Sequence, residues 1–160
     1  MTIILICIFI VAVLFGSAFM ARRRFGLLGL ALAAGSLLSS IWGYEVGLVV
    51  SGLGIPSSQS TSSIVLSLII LLPAGALLFH GYIYKSLLGR VVGASLFTLL
   101  ALAFLIEPLS RVLVLQGTSP IIYGWLADNR TVIIGLGMII AVVDIFLTKP
   151  VKSTEKQHKH

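Results

Sequence analysis

The chain has 160 residues, of which 58% are apolar and 10% are charged, and its mean hydropathy is +1.14. An ordinary soluble domain has about 25% charged residues, so this composition excludes a soluble globular protein, which would lack the polar surface to cover its apolar side chains. The net charge is +6, but the basic residues cluster at the ends of apolar runs, which excludes a nucleic-acid partner. We therefore expect an all-α membrane protein whose main partner is the lipid bilayer.

The first apolar run, residues 2–20, carries no charge and is long enough to cross a hydrocarbon core about 30 Å thick. Its positive charges, Arg22, Arg23 and Arg24, follow the run, whereas a signal peptide carries them in front. The run therefore predicts an uncleaved first span with the N-terminus outside. The single cysteine, Cys7, lies within this run, so no intramolecular disulfide can form.

The second run extends from Phe25 to about Trp42, where Trp42 and Tyr44 mark an interface with aromatic side chains. Residues 43–55 are too short for another crossing and contain Glu45 and several glycines, which predicts an interfacial or re-entrant stretch. Residues 56–63 are rich in turn residues and predict a polar loop.

Three more runs complete the pattern. The third, residues 64–84, is expected to bend at Pro73; the fourth, about 91–106, is stopped by Glu107 and Pro108. Residues 109–131 are mixed and predict a connector on the bilayer surface, and residues 132–147 form the fifth run. The expected organisation is a transmembrane domain over residues 1–148 and a disordered basic tail over residues 149–160.

The distribution of basic residues predicts the orientation. With five spans and the N-terminus outside, nine of the eleven Lys and Arg residues face the cytoplasm, as the positive-inside rule expects. If the fifth run did not cross, this bias would vanish. We therefore expect a multi-pass protein of a bacterial-type plasma membrane with a cytoplasmic C-terminus, and the residues that determine the topology are Arg22, Arg23, Arg24, Lys85 and Lys149.

A family resemblance is carried by two basic turns that enter glycine-bearing runs. The first contains Arg23, Arg24 and Gly26, and the second contains the segment 89–94 with Gly89, Arg90, Gly93 and Ala94. In these features and in the order of its parts, the chain resembles the colicin V production (CvpA-like) family of small bacterial membrane proteins over residues 1–115. The resemblance implies a role in toxin or peptide export or in envelope homeostasis, exercised through protein partners.

No motif predicts an enzyme. The chain contains neither of the glycine-rich phosphate-binding patterns GxxxxGK[ST] and GxGxxG, and two of its three histidines lie in the tail. We predict no catalytic residue, cofactor or metal. Three ionisable residues, His80, Arg90 and Asp144, are placed near the cytoplasmic boundary of their runs, where charge burial is costly. They form a candidate intramembrane polar patch that either responds to protons or ions or is a structural ion pair.

Small residues predict where helices approach closely. The candidate positions are Gly29, Gly43, Gly47, Gly89 and Gly93, and they serve either packing within the chain or contact with another membrane protein or a second copy. On the outer side, Glu107 and Arg111 are spaced to pair on one helix face, and Glu45, Asp128 and Arg130 either rim a cavity or lie in a solvated interface. The alternative function is a small transporter or channel subunit in which the polar patch, the kink and residues 52–54 line a path.

Overall fold

The computed structural model describes residues 2–22, 24–54, 58–79, 86–114 and 121–147. These ranges contain six α-helices and no strand: α1 (Thr2–Ala21), α2 (Phe25–Gly52), α3 (Gln59–Phe79), α4 (Leu87–Val114), α5 (Ile121–Asp128) and α6 (Arg130–Phe146). The predicted all-α class is confirmed. In α2, α3 and α4, segments of 28, 20 and 24 residues are long and apolar enough to cross a membrane. The helix α6 has 17 residues, close to the shortest length that spans a bilayer.

Serine residues define the starts of α3 and α4. The Ser58 hydroxyl accepts a hydrogen bond from the backbone N–H of Thr61 at 3.2 Å, and the Ser86 hydroxyl accepts one from the N–H of Gly89 at 3.2 Å. Each bond satisfies a backbone donor in a first helical turn, where no intrahelical partner exists. The C-terminal end of α2 is followed by Gly54, whose φ of +71° is the left-handed conformation typical of a residue just past a helix.

The central helix is α4, which contacts α1, α2, α3 and α6. Its side chains Phe97, Leu100 and Ala101 are almost completely buried and form the middle of the core with Leu28 and Leu32 of α2. Two pairs of packed helices run antiparallel: the end of α1 lies beside the start of α4, and the end of α6 lies beside the start of α2. The bundle therefore has one end formed by the α1–α2 turn and the starts of α2 and α4.

Three predicted boundaries are wrong, and each was placed at a glycine, proline or serine. Residues 43–52 continue α2 instead of forming a separate interfacial or re-entrant stretch. The helix α4 continues through Pro108 to Val114, and α3 begins at Gln59, inside the predicted loop. Proline removes only one intrahelical hydrogen bond, and in an apolar environment the backbone has no better partner than its own helix. Pro73 lies within α3 as predicted.

The predicted connector over residues 109–131 also divides differently. It contains the last turns of α4 and the whole of α5, and residues 115–120 lie outside the described part of the chain. The predicted tail, residues 149–160, lies outside it as well. The fifth run corresponds to α6, which begins two residues earlier than predicted.

Candidate functional site

The carboxylate of Asp144 on α6 is bonded to the start of α2. It accepts a hydrogen bond from the backbone N–H of Gly26 at 2.9 Å. Arg24, which precedes the helix, provides no side-chain cap of its own, so the partner comes from the opposite end of the sequence. Glycine is needed at position 26 because a Cβ there would lie 2.6 Å from the carbonyl oxygen of Ala141. A negative charge at a helix N-terminus is stabilising because it complements the helix dipole.

Arg90, in the first turn of α4, is bonded to the end of α1. Its guanidinium donates a hydrogen bond to the carbonyl oxygen of Phe19 at 3.2 Å and lies 4.5 Å from the centroid of the Phe19 ring. Phe15 stacks on Phe19 with the ring centroids 6.0 Å apart. One side chain thus satisfies a carbonyl at the C-terminus of α1 and makes a cation–π contact.

The predicted polar patch is represented by these two residues, because His80 lies outside the described part of the chain. Arg90 and Asp144 both lie at the end of the bundle formed by the α1–α2 turn. The hydrogen bond of Arg90 goes to Phe19, whereas the described bond of Asp144 goes to Gly26. Each side chain thus joins two helices.

Two of the residues predicted to determine the topology, Arg22 and Arg24, lie at this same end of the bundle. Arg22 has a φ of +56°, and its N–H bonds to the carbonyl of Ala18 at 3.2 Å, which ends α1 and turns the chain towards α2. Arg24 directly precedes α2. Arg23, Lys85 and Lys149 lie outside the described residues.

A cavity of about 320 Å³ lies towards the other end of the bundle. Arg130 begins α6 and is 14 positions before Asp144, which corresponds to roughly 21 Å along a helix. The walls come from four helices. The α2 wall consists of Ser36, Ser39, Ser40 and Gly43; α3 contributes Leu66 and Ile70, α4 contributes Phe104, Glu107 and Pro108, and α6 contributes Arg130.

The two charged residues of the cavity are paired with each other. The guanidinium of Arg130 donates to the carboxylate of Glu107 at 2.6 Å, and their side chains are 33% and 58% exposed. The sequence spacing predicted Arg111 as the partner of Glu107; the described partner of Glu107 is Arg130, and the Arg111 side chain lies outside the described part. The 23-residue separation of the pair explains why helix spacing alone did not find it.

The cavity serines were not singled out in the sequence, although a signal was present. Three serines within five positions interrupt an otherwise apolar run. Ser39 is 9% exposed, whereas Ser40 is exposed and donates to the carbonyl of Leu37 at 2.8 Å. A cluster of hydroxyls in a helix of this hydropathy indicates a polar surface inside the bundle.

The predicted packing glycines fall into two groups. Gly29 is packed, because a Cβ there would lie 3.0 Å from the Cβ of Ala141, whereas a Cβ at Gly43 or Gly47 would meet nothing within 4 Å. Gly93 is buried and Gly89 is partly buried in α4. A closer contact was missed: a Cβ at Gly35 would lie 2.2 Å from the carbonyl oxygen of Ile70 on α3.

Comparison of the chain with protein-family models, with curated proteins and with solved structures gives no match.

Proposed function

We propose that the chain is a non-enzymatic, five-span protein of a bacterial-type plasma membrane, with its N-terminus outside and its C-terminus in the cytoplasm. Support comes from the placement of charge. Arg22, Arg24, Arg90 and Asp144 lie at one end of the bundle, and Glu107 and Arg130 lie towards the other. The alternating directions of α1, α2, α3, α4 and α6 are compatible with five crossings.

Cysteine accessibility tests this topology. Single cysteines are introduced at Ser58, Ser86, Gly117 and Ser153 in a Cys7→Ala background, and intact cells are labelled with a membrane-impermeant maleimide. We expect labelling from outside at positions 58 and 117, and protection of positions 86 and 153 until the membrane is opened. Labelling of position 153 from outside would contradict five spans.

The function that we propose is that of a membrane factor of the colicin V production kind, which assists export or envelope maintenance through protein partners. The observation that carries this choice is that Arg90 and Asp144 are each bonded to a neighbouring helix. A transport path would require these groups to line a hydrated cavity, and neither of them lines the cavity described above. Bonds that join neighbouring helices are what a scaffold requires.

A gene deletion tests the proposal. We expect it to reduce secretion of a peptide toxin or to sensitise the envelope to detergent, and we expect the purified chain alone to produce no solute flux in proteoliposomes. Asp144→Asn should restore the deletion strain, because the amide oxygen still accepts from Gly26. An intact Asp144→Asn protein that fails to complement would instead favour a role of the carboxylate charge in transport.

The alternative is a small transporter or channel subunit, and the cavity favours it. Cavities between helices of a bundle are common ligand sites, and this one combines serine hydroxyls with a carboxylate and a guanidinium. Flux by the purified chain that is lost on filling the cavity would select this alternative.

A further inference from the structure

Two of the three serines that line the cavity lack a side-chain hydrogen bond to their own helix. A serine within a helix usually bonds to a carbonyl three or four residues earlier, and Ser17, Ser40, Ser51 and Ser67 do so here. Ser36 and Ser39 also line the cavity, but they make no hydrogen bond with any residue that the structure describes. Ser39 is 9% exposed. Because Ser36 and Ser39 line the cavity, a ligand bound there can supply the hydrogen-bond partner that the described residues do not.

The charges of the cavity complement a molecule that carries both signs. Arg130 has five N–H donors, and its one described bond is to Glu107. The Glu107 carboxylate would repel a purely anionic ligand bound to Arg130. The Arg130 guanidinium would likewise repel a purely cationic ligand bound to Glu107. A zwitterion satisfies both groups, with its carboxylate on Arg130 and its ammonium on Glu107.

The remaining lining is apolar and small in extent. Ile70 and Phe104 are buried and, with Leu66, provide the apolar part of the wall. The volume of about 320 Å³ is at the lower end of small-molecule sites. It suits a small molecule.

From these observations we infer that the cavity between α2, α3, α4 and α6 binds a free amino acid or a zwitterion of similar size. Arg130 binds the carboxylate, Glu107 binds the ammonium group, Ser36 and Ser39 provide hydrogen bonds, and Phe104 contacts the side chain. The inference goes beyond the proposed function and does not require that the chain transports its ligand. Binding without flux supports the site, whatever the outcome of the deletion experiment.

The test is a binding measurement on the purified full chain in lipid nanodiscs. Each of the twenty common amino acids is added at 10 mM, and the thermal unfolding midpoint is recorded. At least one should raise the midpoint by about 3 °C or more, because a ligand that binds the folded state stabilises it. The amide and the N-acetyl derivative of the best binder, which lack one charge each, should bind at least tenfold more weakly. No shift with any of the twenty, or a derivative that binds as tightly as the amino acid itself, would overturn the inference.

A matched pair of glycine variants tests whether the amino acid binds in this cavity. Gly43 lines the cavity and Gly47 lies one turn further along α2, and a side chain at either position meets open space. Gly43→Leu should abolish binding, whereas Gly47→Leu should leave the affinity within twofold of the parent. Retained binding in Gly43→Leu would show that the amino acid binds elsewhere.

Two milder variants keep the inference testable if Gly43→Leu does not fold. Ser39→Ala should weaken binding at least threefold, and Ser51→Ala, which removes an exposed hydroxyl of the same helix outside the cavity, should not. Glu107→Gln should weaken binding of the amino acid at least tenfold and leave binding of its N-acetyl derivative unchanged. An equal loss for both compounds would show that the carboxylate only holds Arg130 in place.

Discussion

The carboxylate of Asp144 and the backbone N–H of Gly26 are 2.9 Å apart and join the end of α6 to the start of α2, across 118 positions of sequence. The helix α6 therefore supplies a cap for α2. This bond explains why a charged residue is placed within an apolar helix, since it compensates a backbone donor that the helix itself leaves without a partner.

Removal of the Asp144 carboxylate should destabilise the bundle. Asp144→Ala is expected to lower the free energy of unfolding by about 2 kcal/mol, the range for hydrogen bonds to charged groups, while Asp144→Asn should cost less because its amide oxygen still accepts. The measurement is reversible unfolding of the purified chain in detergent. Asp128→Ala, on the exposed end of α5, is the control and should change little. Equal losses for Asp144→Ala and Asp128→Ala would contradict a capping role.

The contact of Gly35 with α3 should tolerate no side chain. A Cβ at Gly35 would lie 2.2 Å from the carbonyl oxygen of Ile70, which is backbone and cannot rotate away. Gly35→Ala should therefore separate α2 from α3 and cost about 3 kcal/mol or more, the upper range for overpacking. Gly75→Ala on α3, where a Cβ meets nothing within 4 Å, should be neutral or slightly stabilising, because alanine favours helix. Similar unfolding free energies for the two variants would refute the close approach.

The sequence predicted the class and the helices, and it failed where tertiary contacts decide. Long apolar runs specify helices regardless of their neighbours, so α1 and α6 were placed to within two residues. The sequence predicts a helix end at Pro108 because proline breaks helices in water, yet α4 continues through it. The pairing of Glu107 with Arg130 depends on how α6 packs on α4, which no local spacing contains. The cavity likewise exists only where four helices meet.

Arg90 and Phe19 should be energetically coupled. The guanidinium both bonds to the Phe19 carbonyl and lies over the Phe19 ring, so Arg90→Met removes the positive charge and the planar group and keeps an apolar stem. We expect Arg90→Met to cost about 2 kcal/mol and Phe19→Leu about 1 kcal/mol. The double variant should lose less unfolding free energy than the two single variants lose together. The difference should be about 0.5 kcal/mol or more, the range of a cation–π contact. Strict additivity in this double-mutant cycle would contradict the contact.

Replacement of Arg22 by glycine should leave the protein more stable than replacement by alanine. Its φ of +56° is the left-handed conformation, which costs a residue with a Cβ about 1 kcal/mol and costs glycine nothing. Arg22→Gly and Arg22→Ala remove the same charge, so any difference between them reports the backbone alone. We expect the free energy of unfolding of Arg22→Gly to exceed that of Arg22→Ala by about 0.5 to 1 kcal/mol, in the same detergent and at the same temperature. If α1 instead ended without this turn, alanine would be the more stable replacement, because it favours helix and glycine does not.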